Sequence, residues 1–192
     1  RASVMNPADT LNQRLKVLRP AAEACLSNLG RRMFFPQGIP AQAAQAKSAR
    51  INATIGQLTD GAGHALPLGA LSQHIQGLDL ADVFLYTPQG GQRPLREAWQ
   101  ARLTQPGDAP ITSPFVTVGL THGLSLVADL FTDPDTEVIL PDPGWGNYDH
   151  IFGARRGARL IRYPVFRDGV FCAEAMAEAL AQVRTKAVVV LN

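Results

Sequence analysis

The chain has 192 residues, 46% of them apolar and 18% charged, a composition of globular type that excludes disorder for the bulk of it. Lysine plus arginine total 18 against 16 acidic residues, a net charge of +2, which is too small an excess to mark a nucleic-acid-binding surface. No apolar run approaches the roughly 20 residues that a membrane-spanning helix needs, and residues 1–7 lack the apolar stretch of a secretory signal.

Residues 1–50 read as a helical and irregular arm. Leu11, Leu15 and Leu18 share a helical face, Pro20 ends that helix or starts the next, and Ala21 to Leu29 read as a short helix with Gly30 as its stop. Residues 34–40, Phe-Phe-Pro-Gln-Gly-Ile-Pro, are expected to be irregular, with Phe34 and Phe35 packed on something, such as a second subunit. Residues 51–91 are rich in glycine and turn formers, with an extended stretch at Phe84-Leu85-Tyr86. Pro94 opens a helix whose Leu95, Ala98, Trp99 and Leu103 share a face.

From residue 114 strands and helices alternate. Strands are expected at 115–118, 137–140, 159–163 and 186–191. The helices between them span 121–131, where Leu124, Val127, Leu130 and Phe131 face inward, then 145–152 and 174–183. This alternation predicts an α/β fold with a mainly parallel sheet and covering helices. The β-branched run at Val188-Val189-Val190-Leu191 reads as a central strand buried on both faces.

Three stretches carry candidate chemistry. Gly119-Leu120-Thr121-His122-Gly123 joins a strand to a helix, and the open amides and positive dipole end of a helix N-terminus suit an anion. The same residues also suit a plain tight turn with an N-cap. Pro141-Asp142-Pro143-Gly144-Trp145 follows the next strand; a ring held there is placed to stack on a planar ligand, or to pack in the core. Tyr86-Thr87-Pro88-Gln89-Gly90-Gly91 offers a hydroxyl that reaches a phosphate or simply meets water. His64, His74, His122 and His150 show no metal-ligand spacing and read as surface or capping residues. Cys25 and Cys172 are far apart, so no metal site or disulfide framework is supported, and a reducing cytoplasm is expected. The abundance of arginine and alanine is that of a high-GC bacterial coding sequence.

Taken in order, Ile51-Asn52-Ala53-Thr54-Ile55-Gly56, Tyr86 to Gly91 with Leu95-Arg96-Glu97-Ala98, Val118 to Gly123, and Pro141 to Trp145 resemble the N-terminal half of a class I/II aminotransferase, a fold-type-I enzyme dependent on pyridoxal 5'-phosphate. The resemblance covers about 50–192, the first part of the cofactor-binding large domain, and leaves 1–50 as its arm. It implies transfer of an amino group between an amino acid and a 2-oxo acid by a homodimer, with no nucleic acid or membrane as partner. By the same resemblance the Leu120 and Thr121 amides, with the Thr121 hydroxyl, hold the cofactor phosphate, and Trp145 stacks on the pyridine ring. Tyr86 then reaches the phosphate in the neighbouring subunit, and Gly56 lies near the substrate.

The family's Asn-Pro-x-Gly loop, pyridine-nitrogen aspartate, Schiff-base lysine, phosphate arginine and C-terminal carboxylate-binding arginine have no counterpart here. Asn192 comes too early for the loop asparagine, and the three lysines, Lys16, Lys47 and Lys186, are all misplaced. No catalytic residue is therefore expected within these 192 residues, and this portion alone should be inactive. The first residue is Arg1, so a processed chain or part of a longer protein is expected. Two other readings stay open: a non-catalytic aminotransferase-like module for dimerisation or effector binding, and a nucleotide-binding α/β protein. The second is disfavoured because the first strand–helix turn lacks the glycine fingerprint.

Overall fold

Helices α1 (Pro7–Leu18), α2 (Pro20–Ala24) and α3 (Asn28–Arg32) open the chain in a computed structural model that describes residues 7–34, 38–54 and 56–191. Phe35, Ile55 and Asn192, singled out above, lie outside the described residues. By backbone proximity the chain forms two units, Arg1–Pro36 with Val118–Asn192, and Gln37–Thr117. The arm-and-domain division near residue 50 is a division by family resemblance and follows a different line.

Pro20 starts α2. The single helix expected over 21–29 is instead two, because Ser27 accepts the Gly30 N–H at 3.0 Å and begins α3. The serine satisfies an amide of the new helix, and Gly30 sits inside that helix rather than at a stop. The Asn12 side chain donates to the Arg31 carbonyl at 2.7 Å, and Arg31 pairs with Glu23, so the three helices hold one another. Of the expected leucine face, Leu15 is half-buried while Leu11 and Leu18 are exposed.

The second unit contains α4 (Ile39–Gln45), a 3-10 turn at Ala46–Ser48, α5 (Gly69–Gln76), α6 (Leu80–Val83) and α7 (Arg93–Leu103). The stretch expected to be irregular over 34–40 ends in helix, since Gly38 caps α4 and its carbonyl accepts the Ala41 and Gln42 amides at 3.0 and 3.1 Å. Phe84-Leu85-Tyr86 leaves α6 as a turn, not an extended segment, because the Phe84 N–H still bonds the Leu80 carbonyl at 3.1 Å. Arg96 Nε donates to the Pro114 carbonyl at 2.6 Å and Gln100 to the Ile111 carbonyl at 2.8 Å, which ties α7 to the segment after it. The strand expected at 115–118 does not form. Phe115, Val116 and Val118 are exposed, and this stretch joins no ladder among the described residues.

The rest of the first unit is α8 (Gly119–Phe131), β1 (Glu137–Asp142), a π-helical turn (Asp149–Ala154), β2 (Arg159–Pro164), β3 (Phe166–Arg167), β4 (Val170–Phe171), α9 (Glu174–Leu180) and β5 (Ala187–Val189). Among the described residues the main sheet is parallel, in the order β2-β1-β5, with Val138 opposite both Leu160 and Val188. β3 and β4 form a small antiparallel hairpin. Among the described residues β1 lies between β2 and β5, and β5, within the run read above as a central strand, pairs with β1 and is partly buried.

Side chains of β1 alternate between two apolar layers, as the two-residue period of a strand requires. Val138 and Leu140 pack with Ala128 of α8 and with Tyr148, Ile151 and Phe152. Ile139 packs on the other face with Tyr163 and with Ala175 and Ala179 of α9. Each fully buried aliphatic chain contributes about 1.5–3 kcal/mol. The path from β1 to β2 runs over the first face, and the return to β5 runs over the second through α9. That reversal of side keeps one hand of crossover. The inward face of α8 is offset from expectation: Ala128 is buried and Leu124 half-buried, whereas Val127, Leu130 and Phe131 are exposed. The helix expected over 145–152 starts later, at Asn147, and winds as a π turn over Asp149–Ala154.

Candidate active site

The turn that leads into α8 is built on Gly119, whose φ of +75° is a backbone conformation that side-chain-bearing residues rarely adopt. Val118, ahead of it, supplies no side-chain cap to the helix. Its own N–H instead donates to Nδ1 of His122 at 3.1 Å. The first amides of an α-helix have no partner four residues back. Leu120 is 80% exposed and Thr121 is exposed, so this first turn faces outward. The sequence 118–123 carries no carboxylate. Amide N–H groups, one hydroxyl and the positive end of a 13-residue helix make a donor set that fits a phosphate.

Trp145 lies just beyond the carboxyl end of β1, the end at which open parallel sheets take ligands. It is half-buried and meets Tyr148 edge to face, with ring centroids 5.5 Å apart at 88°. Tyr148 in turn lies 6.4 Å from Phe152, which is fully buried. The two aromatics at i+3 and i+7 thus anchor the tryptophan to the core. The approach to it is set by Gly144: a Cβ there would stand 2.4 Å from the Pro141 main-chain oxygen, so only glycine passes. Arg162 of β2 donates to both oxygens of Asp149, at 2.6 and 2.7 Å, and holds the π turn against the sheet.

The two turns share a foundation. Leu124, one helical turn past Thr121, and Trp145 pack against the same apolar cluster of Ala128, Val138, Leu140, Tyr148, Ile151 and Phe152. Leu120, Thr121 and Trp145 are thereby brought to one unit. Tyr86 and Gly56 belong to the other; Tyr86 is 89% exposed in the coil after α6, and Gly56 lies in exposed coil with open space about it. Sequence reasoning missed the T-shaped contact of Tyr148 with Trp145 and the close approach at Gly144, whereas His122, read as a surface or capping residue, accepts the N-cap N–H of α8. The aromatic spacing at 145, 148 and 152 is the one signal that was available for the Tyr148 contact.

None of the three lysines belongs to these turns. Lys16 is in α1 and Lys47 in the 3-10 turn. Lys186 precedes β5 at the amino end of the sheet, where its Nζ pairs with Asp133 at 2.8 Å; that hydrogen bond and charge hold the Asp133 carboxyl below its ordinary range. In the second unit, His64 is paired with Asp60 at 2.9 Å, and the His64 hydrogen bonds likewise keep Asp60 low. No group of histidine, cysteine and acidic side chains among the described residues is placed to hold a metal ion. No helix among them is long and apolar enough to cross a membrane.

Residues 48–192 match the model of the aminotransferase class I and II family. The chain belongs to that family. Two aminotransferase structures share the fold. One, from Anaerococcus prevotii, is 22% identical with a TM-score of 0.64, over 76% of this chain and 37% of its own length. The other, the broad specificity aminotransferase from Leishmania mexicana, is 24% identical with a TM-score of 0.58, over 86% of this chain and 45% of its own length. The chain thus spans less than half of either aminotransferase. The comparison with curated proteins gives no match.

Proposed function

We propose that this chain is the N-terminal portion of a pyridoxal-phosphate-dependent aminotransferase that moves an amino group between an amino acid and a 2-oxo acid, working as a homodimer in the cytoplasm. The observation that carries the reading is the common footing of two turns: the first turn of α8 and the Trp145 turn rest on one apolar cluster. Leu120 and Thr121 would hold the phosphate through their amides and the Thr121 hydroxyl, and Trp145 would lie against the ring. Tyr86 would serve the phosphate of the partner's cofactor, and Gly56 would border the substrate. Pyridoxal phosphate, when bound, supplies an electron sink for charge that develops on the substrate. The residues named here bind and orient. They do not move the proton, and the 192-residue portion alone is inactive.

The test uses the whole protein. Loaded with pyridoxal phosphate, it should convert amino acids to 2-oxo acids. Reduction with borohydride followed by peptide mapping should place the cofactor label on a lysine outside residues 1–192. A label chiefly on Lys16, Lys47 or Lys186 would overturn the reading. So would an equilibrium mass showing a stable monomer, as far as the Tyr86 assignment is concerned.

A further inference from the structure

The amides of Leu120 and Thr121 point where the turn before them directs them, and that turn is not held in an ordinary way. Val118 occupies the N-cap position of α8 but has no side-chain acceptor to offer the helix. In the usual reciprocal cap, an acidic or amide side chain at the third helical position reaches back to the N-cap N–H. Thr121 occupies that third position here. The imidazole one residue later does the reaching: His122 Nδ1 accepts the Val118 N–H at 3.1 Å. Between donor and acceptor lie Gly119, at φ +75°, and the two residues assigned to the phosphate. Gly119 has open space where a Cβ would stand. The His122 hydrogen bond spans that residue and ties the N-cap of α8 to its fourth helical position.

We infer that His122 is a positioning residue for the phosphate cradle: its neutral imidazole, protonated at Nε2, locks the Val118–Gly119 turn and so aims the Leu120 and Thr121 amides. This rests on the proposed cofactor assignment. The chemistry is specific about the proton. A ring nitrogen that accepts an N–H must carry no hydrogen, so the proton of the neutral ring sits on the other nitrogen. It is also specific about substitutes. The side-chain oxygen of asparagine falls at the same branch position as Nδ1, whereas leucine fills the space with no acceptor.

The experiment compares retention of pyridoxal phosphate with that of pyridoxal, which lacks the phosphate, by equilibrium dialysis of the whole protein. Wild type should prefer the phosphorylated form, and Thr121→Ala should narrow that preference. His122→Leu should narrow it about three- to tenfold, the loss of one oriented hydrogen bond, and His122→Asn should restore most of it. If Thr121→Ala narrows the preference but His122→Leu does not, the inference on His122 is wrong and the cradle stands. If neither does and wild type shows no preference, the cradle itself falls, and the inference with it. A measurement on wild type alone covers a leucine variant that does not fold. Nitrogen NMR of the His122 ring should find Nδ1 bare and Nε2 protonated; a proton on Nδ1 of the neutral ring overturns the inference.

Discussion

Glu137 Oε2 accepts the Arg184 main-chain N–H at 2.8 Å, across 47 residues of sequence. The other carboxylate oxygen takes the Arg159 guanidinium. Glu137 is only 5% exposed, so one carboxylate fastens the amino end of β1 to β2 and to the loop that leads into β5. A carboxylate that is both buried and fully paired is costly to disturb, because removing either partner strands a charge.

These contacts hold the Glu137 carboxyl below its ordinary range, the Arg159 hydrogen bond foremost and the Arg184 amide next. A carboxyl whose value is lower in the folded state favours folding at any pH above its unfolded value. That contribution is lost as pH falls through the lowered folded value. Thermal melts from neutral pH down to about pH 3 should therefore show Glu137→Gln several degrees less stable at neutrality, with a shallower decline on acidification. Parallel curves for the two proteins would show that Glu137 does not carry the acid sensitivity.

At Gly144 the obstacle is main chain rather than a flexible side chain: an added Cβ would lie 2.4 Å from the Pro141 oxygen. Neither group can yield without moving β1, so Gly144→Ala is expected to cost about 1–3 kcal/mol, as overpacking does. Gly146, two residues on, has nothing within 4 Å of its Cβ position. Gly146→Ala should leave the melting temperature nearly unchanged, and that contrast separates a local clash from a general intolerance of alanine in this turn. Equal melts for both variants would remove the clash as the explanation.

Elements whose own residues decide them were legible in the sequence. Glu137-Val138-Ile139-Leu140 and Arg159 to Tyr163 read as parallel strands and are parallel strands. Elements decided by a neighbour were not. Phe115-Val116-Thr117-Val118 has the composition of a strand but joins no ladder among the described residues. The α8 face was misjudged because small Ala128, not bulky Leu130 or Phe131, is what lets the helix approach β1. Thr121 and Trp145 stood out by order of motifs and by resemblance. Their supports are local contacts: His122 accepts the Val118 N–H, which leaves no mark on spacing, and Tyr148 meets Trp145 and Phe152 at a spacing visible in the sequence.

Phe152 is fully buried and belongs to the cluster on which both turns rest. Phe152→Ala should lower stability by about 3–5 kcal/mol through lost transfer and the cavity left behind. Phe152→Leu keeps most of the volume and should cost far less, about 1 kcal/mol. The tilted contact with Tyr148 is lost in both variants, so Trp145 should become more mobile in both. Chemical denaturation measures the first effect and tryptophan fluorescence anisotropy the second. If the leucine variant restores stability and rigidity alike, the aromatic contact does not steady Trp145.

Trp145 itself gives the most direct test of the ring assignment. Its ring is half-buried and is met by Tyr148 at 88°, an edge contact that fixes the plane of the indole. An aromatic ring already fixed in place loses little entropy on stacking against a ligand, so the contact energy is largely retained. Such contacts are worth about 0.5–1.5 kcal/mol beyond burial, which corresponds to a factor of several in affinity. Trp145→Ala in the whole protein should weaken retention of pyridoxal phosphate by about that factor, and Trp145→Phe, which keeps a smaller ring, by less. Pyridoxal, without the phosphate, should suffer the same loss, because the ring contact is separate from the Thr121 turn. Dialysis against each ligand reads both numbers. A loss confined to pyridoxal phosphate would mean that the alanine had disturbed the phosphate turn through the shared apolar cluster, and would take the stacking role away from Trp145.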